Sequence, residues 1–163
     1  VLNGREGVSI ANYNCPGQIV ITGEAAAVVE AGTALKEAGA RRVLPLKVSG
    51  PFHSPMMRPA GEELAKVFAG VSMNPLKIPY VANINAEVIT DCGRIEGLLV
   101  DQVSGSVRWQ QSVETMIREG VDTFVEIGPG KTLTGFLRKI DKNVKAYHIG
   151  SWEEAVQVCE ELK

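Results

Sequence analysis

The stretch Val43-Leu44-Pro45-Leu46-Lys47-Val48-Ser49-Gly50-Pro51-Phe52-His53-Ser54 decides how the chain is read. An apolar run, residues 43–48, stops at Gly50-Pro51 and hands over to Phe-His-Ser. That is the pattern of a strand running into a loop, where α/β proteins hold polar side chains at the mouth of a cleft. Pro45 offers no N–H and places the run at a sheet edge. His53 is one of only two histidines, and imidazole takes up and returns a proton near neutral pH. These residues alone leave it two readings: a proton carrier, or a partly buried ring satisfying a loop carbonyl.

Upstream, residues 8–13 and 18–22 read as strands joined at Asn14-Cys15-Pro16-Gly17, a hairpin with a four-residue loop. Residues 24–38 follow as a helix, with Ala27, Val28, Ala31 and Leu35 at helical spacing and Gly39 closing it. Downstream, 59–68, 95–103, 107–118 and 132–140 read as helices. Residues 78–84 (interrupted by Pro79), 121–127 and 144–149 read as strands. Ser151 with Glu154 makes a capping box for a last helix over 152–162. Strands alternating with helices make an α/β chain in two parts that divide near Val48.

At 163 residues the chain is long enough for a sizeable core. Its net charge of −2 and scattered Lys and Arg give no nucleic-acid footprint. No apolar run reaches the roughly 18 residues of a membrane span, and no signal segment is present. Cys15, Cys92 and Cys159 are too widely spaced for a zinc site and too few for a disulfide framework, which points to a reducing, cytoplasmic setting. A start at Val1, with residues 1–7 reading as the tail of some element, leads us to expect a fragment.

Gly128-Pro129-Gly130-Lys131-Thr132 resembles a phosphate loop only superficially. The earlier glycine that the motif needs is Val125, and Pro129 lacks an N–H, so a tight strand-to-helix turn is expected. The dinucleotide fingerprint fails at Leu133. His148 reads as a surface or helix-packing residue, and Cys15, with no base near it in sequence, as inert. There is no Gly-x-Ser-x-Gly, so no triad is complete within the chain.

Asn12-Tyr13-Asn14-Cys15-Pro16-Gly17-Gln18, Gly50-Pro51-Phe52-His53-Ser54, Val81-Ala82-Asn83-Ile84-Asn85-Ala86, Val107-Arg108-Trp109 and the run Glu126 to Gly135 resemble, in order, successive blocks of the malonyl-CoA:acyl carrier protein transacylases of bacterial fatty acid synthesis. The resemblance covers the C-terminal half or so of such an enzyme. It implies the C-terminal part of an α/β-hydrolase-like acyltransferase fold (residues 49–163) with an incomplete ferredoxin-like small subdomain (residues 1–48). It also implies that the oxyanion-hole Gln, the nucleophilic Ser and the Arg that pairs with the malonyl carboxylate lie outside this chain, which alone should be inactive. No cofactor and no metal is called for.

The same resemblance makes His53 the general base, oriented through a main-chain carbonyl at Gln102. Phe52 falls at the position that tracks extender choice, and Asn14 at the substrate cleft, although Asn14 serves a turn equally well. Malonyl-CoA, an acyl carrier protein, and either an N-terminal half of the same protein or a swapped copy are the implied partners. A non-catalytic half that binds the carrier protein, or only completes the fold, is the alternative. Because the small subdomain lacks its first strand, a gap is expected beside residues 18–22. It would be closed by direct pairing with residues 43–48, by strand exchange, or by the N-terminal piece.

Overall fold

The computed structural model describes all residues, 1–163. The chain opens with a hairpin, β1 (Val8–Cys15) and β2 (Gln18–Gly23), and then α1 (Ala25–Glu37). After an extended arm come a single 3-10 turn (Pro55–Met57) and α2 (Arg58–Phe68). A minimal ribbon, β3 (Tyr80–Val81) with β4 (Val88–Ile89), precedes α3 (Ile95–Ser104) and α4 (Trp109–Arg118). A right-hand portion of β5 (Thr123–Ile127), α5 (Thr132–Ile140), β6 (Lys145–Ile149) and α6 (Trp152–Glu161) completes the chain. No helix is long and apolar enough to cross a membrane.

The hairpin loop is two residues, Pro16-Gly17, rather than four, because Cys15 pairs directly with Gln18. Proline followed by a glycine at φ +78° suits a tight turn that a longer loop would not need. The extra β1 residues appear as irregularities at Ala11 and Asn14, where the register with β2 slips. Such bulges re-aim side chains.

Residues 43–48 form no strand, contrary to the pattern of the sequence. Leu44, Leu46 and Val48 stand 62–64% exposed, and β2 pairs with β1 alone. The run has strand composition but no neighbour to donate to, and Pro45 removes one donor of its own. Direct pairing of residues 18–22 with 43–48 is thereby excluded in this chain, and the gap beside β2 stays open. The strand expected over 78–84 shrinks to Tyr80–Val81 for the same reason, Pro79 delaying its start and Asn83 turning it back towards β4. The helix expected from Val107 begins at Trp109, because Val107 is used in a parallel bridge to Asn12 of β1.

β5 and β6 are parallel, joined over α5. Parallel strands are normally covered on both faces, yet Ile127 is 78% exposed. Only 14 of the 163 residues are buried, Ile89, Val113, Leu137 and Val158 among them. The accessible surface is 11002 Å², whereas a folded monomer of this mass exposes about 7,900 Å². Roughly 3,000 Å² of surface thus remains that a self-sufficient domain would have buried.

The turn after β5 is a strand-to-helix junction, with Gly128 at φ +139° and Gly130 at +85°. The N-terminus of α5 is closed by Glu126, whose carboxylate accepts from Leu133 N–H (3.1 Å), Thr134 N–H (2.7 Å) and Thr134 Oγ1–H (2.6 Å). The donors a phosphate would need are already taken. At α6, Ser151 Oγ accepts from Glu154 N–H, while Glu154 reaches back to Gly150 N–H at 2.6 Å, one residue earlier than in the usual box.

Partial burial raises the pKa of Glu126, but the hydrogen bonds from Thr134 and Leu133, with the charge of His148, outweigh it and hold the group below its ordinary value. A carboxylate depressed in the folded state adds stability above its unfolded pKa and loses it as pH falls through the folded one. Glu126→Gln should therefore lower the urea midpoint near pH 7, and the two proteins should converge as pH falls below the lowered folded pKa, where protonated Glu resembles Gln. A gap independent of pH would contradict this assignment.

Candidate active site

Ser54 is the anchor of the loop that carries His53. It is 1% exposed, its Oγ–H donates to Pro51 O at 2.6 Å, and the same oxygen accepts from Met56 N–H at 3.3 Å. Pro55 sits at the first position of the 3-10 turn, where no N–H is required. Between these fixed points His53 adopts φ +59°, a left-handed conformation that costs a residue with a Cβ of order 1 kcal/mol or more. Phe52, next to it, is 47% exposed, and its ring edge lies over Gly50.

The ring meets the end of α3. His53 Nδ1 lies 3.0 Å from Gln102 O, a last-turn carbonyl with no helical donor of its own. A carbonyl can only accept, so Nδ1 carries the proton and Nε2 keeps a free lone pair. Gln102 Nε2 also lies 3.4 Å from Nδ1, but two donors do not bond each other, and that amide donates to Gly105 O at 2.9 Å. The main-chain contact is the one that holds the ring.

Three local features hold that helix end in place. Gly61 of α2 is buried, and a Cβ there would come 3.1 Å from Val100 O, so α2 and α3 approach backbone to backbone. Gly105 leaves room where α3 ends: a Cβ there would come 2.9 Å from the backbone oxygen of Asp101 and would also press on the end of the Ile84 side chain. Beyond it, Ser106 Oγ–H donates to Ile10 O (2.6 Å), Val107 N–H to Ala11 O (2.7 Å) and Arg108 N–H to Asn83 O (2.8 Å). Val107 O accepts from Tyr13 N–H in return. The carbonyl that faces His53 is thereby tied to the hairpin.

Of the four residues singled out in the sequence, His53 and Gln102 are in contact, Phe52 is next to His53 in the chain, and Asn14 sits at the second bulge of β1 with no hydrogen bond to them. Cys15 is 2% exposed, with only Gln18 Oε1 at 3.9 Å from its sulfur. His148 is packed against α6, its Nε2–H donating to Gly128 O at 2.9 Å and its Nδ1 3.4 Å from Glu154. No three His, Cys, Asp or Glu side chains gather closely enough to hold a metal ion. The imidazole of His53 is half-buried. A cavity of about 300 Å³ between α5 and β6 and one of about 90 Å³ between Trp109 and Tyr147 both lie elsewhere.

The sequence did not single out Ser54, Gly61 or Gly105. A Ser-Pro pair before a helix was legible as a cap. The two glycines carry no signal until their neighbours are known.

Residues 2–158 match the acyl transferase domain family. The chain is 42% identical to the malonyl CoA-acyl carrier protein transacylase of Bacillus subtilis, over 96% of its own length and 49% of the relative's. It superposes on an acyl-carrier-protein S-malonyltransferase from Bartonella henselae with a TM-score of 0.90 at 42% identity, covering 95% of this chain and 49% of that one. A type II PKS acyl-carrier protein in complex with its malonyl-transacylase gives 0.92 at 38% identity, covering 99% and 52%. The chain spans about half the length of these relatives. With a match over nearly every residue, and a mixed α/β architecture shared with the transacylase structures, the chain belongs to the acyl transferase domain family.

Proposed function

We propose that this chain is the half of a malonyl-CoA:acyl carrier protein transacylase that supplies the general base, His53, to a serine nucleophile outside it. The contact between His53 Nδ1 and Gln102 O carries the reading. It leaves Nε2 as a lone-pair base with no hydrogen-bond partner in this chain, and a carbonyl fixes the tautomer without adding a charge. In the first half-reaction Nε2 takes the serine proton as the oxygen attacks the malonyl thioester, and returns it to the departing thiolate of coenzyme A. In the second, Nε2 takes the proton of the carrier's phosphopantetheine thiol as its sulfur attacks the acyl-serine, and returns it to the serine oxygen. A base so placed is worth about 10²–10⁴ in rate.

Residues 1–48 would then be part of a small subdomain and 49–163 part of the large one, working in a reducing cytoplasm. The excess surface, the open edge of β2 and the exposed arm at 43–48 support an N-terminal half as the covering partner. An excess of about 3,000 Å² on one side is the size of an obligate interface, not of a transient encounter. The isolated chain should be inactive and should bind that half as a stable one-to-one complex on gel filtration. A chain that stays monomeric beside it would remove this support.

In the reassembled protein, His53→Ala should lower malonyl transfer about 10²-fold or more with little change in stability. Unchanged activity would instead favour a non-catalytic half that binds the carrier or completes the fold. Phe52, exposed beside the base, presents bulk that would crowd an α-methyl group. Phe52→Ser should raise the methylmalonyl-to-malonyl ratio of kcat/KM by about 10-fold, the scale of one methyl in a pocket. A constant ratio would clear Phe52 of a role in selection.

A further inference from the structure

We propose that Ser54 is a positioning residue that keeps the His53 ring in its single working orientation. The proposal rests on the reading of His53 as the base. His53 holds a backbone conformation that a β-carbon disfavours, and something must offset that cost. On the N-terminal side Ser49 and Phe52 are exposed and Gly50 and Pro51 half-buried, and the one side-chain hydrogen bond to residues 49–52 is that from Ser54 Oγ–H to Pro51 O.

The restraint comes from the C-terminal side. Ser54 closes a ring of backbone from Pro51 O through its own Oγ to Met56 N–H, and Met57 N–H returns to Ser54 O at 2.9 Å. The hydroxyl is both donor and acceptor at full burial, and it spans both sides of His53. Alanine would orphan the Met56 N–H and release Pro51 O, leaving the left-handed residue to relax toward ordinary backbone. A relaxed backbone swings the imidazole off Gln102 O, and the lone pair then moves between Nε2 and Nδ1. Nothing in this role requires Ser54 to touch substrate.

The experiment uses the reassembled protein with only the 163-residue chain carrying the ¹⁵N label, so that its two histidines are each a control for the other. Long-range ¹⁵N–¹H spectra near pH 8.5, above the ordinary imidazole range, report each tautomer. The wild type should show His53 as the Nδ1–H form and His148, bound through Nε2–H to Gly128 O, as the Nε2–H form. Ser54→Ala should bring His53 to averaged shifts while His148 is unmoved, and Ser54→Thr, which keeps the hydroxyl, should restore the locked form. In the reassembled protein Ser54→Ala should cut kcat about 10- to 100-fold at nearly constant KM.

A His53 ring that stays locked in Ser54→Ala overturns the proposal. So does a loss of both histidine patterns together, which would make Ser54 a general fold residue. A locked wild-type ring combined with a silent His53→Ala would instead sink the catalytic reading while leaving the positioning role of Ser54 intact.

Discussion

An unsatisfied carbonyl at the end of a helix is the constraint on which the site depends. The last carbonyls of any helix lack partners, and α3 assigns two of its own differently: Asp101 O to Gly105 N–H, Gln102 O to His53. The first ends the helix and the second aims an imidazole. Because the acceptor is backbone, its position is set by whatever fixes α3, namely the close approach at Gly61 and the tether of residues 106–108 to β1 and Asn83. The orientation of the His53 ring thus depends on packing many residues away, next to a left-handed turn beside which Ser54 bonds Pro51 O.

The second constraint is area. The three sheets are each two strands wide, and one is parallel. A parallel pair with an exposed isoleucine, an unpaired hairpin edge and an apolar arm standing in solvent do not make a finished core. The chain spans only about half the length of its relatives.

Much of this was legible in the sequence where the signal is local. The helix over residues 132–140 and the cap at Ser151 follow from periodicity and from side chains that satisfy nearby backbone. The strand-to-loop pattern drew attention to His53, although the strand itself did not form. Residues 43–48 failed because a strand is a relation between two segments, and no composition can state that the second is missing. Gln102 could be reached only through the family likeness, since any residue type can offer a main-chain oxygen. The close approaches at Gly61 and Gly105 were not legible, because leaving room shows only once the neighbour is in place. Asn14 stayed a turn residue or a cleft residue in the sequence, and the bulge it occupies gives a physical reason for its side chain to point off the strand.

The central claim is that the proton carrier and the group it activates are on different pieces of the protein. Labelling the reassembled two-piece enzyme with radioactive malonyl-CoA, then separating the pieces under denaturing conditions, tests it most directly. The account predicts acid-stable label on the N-terminal piece and none on the 163-residue chain. Label on this chain, with Cys15 the first residue to examine, would contradict it.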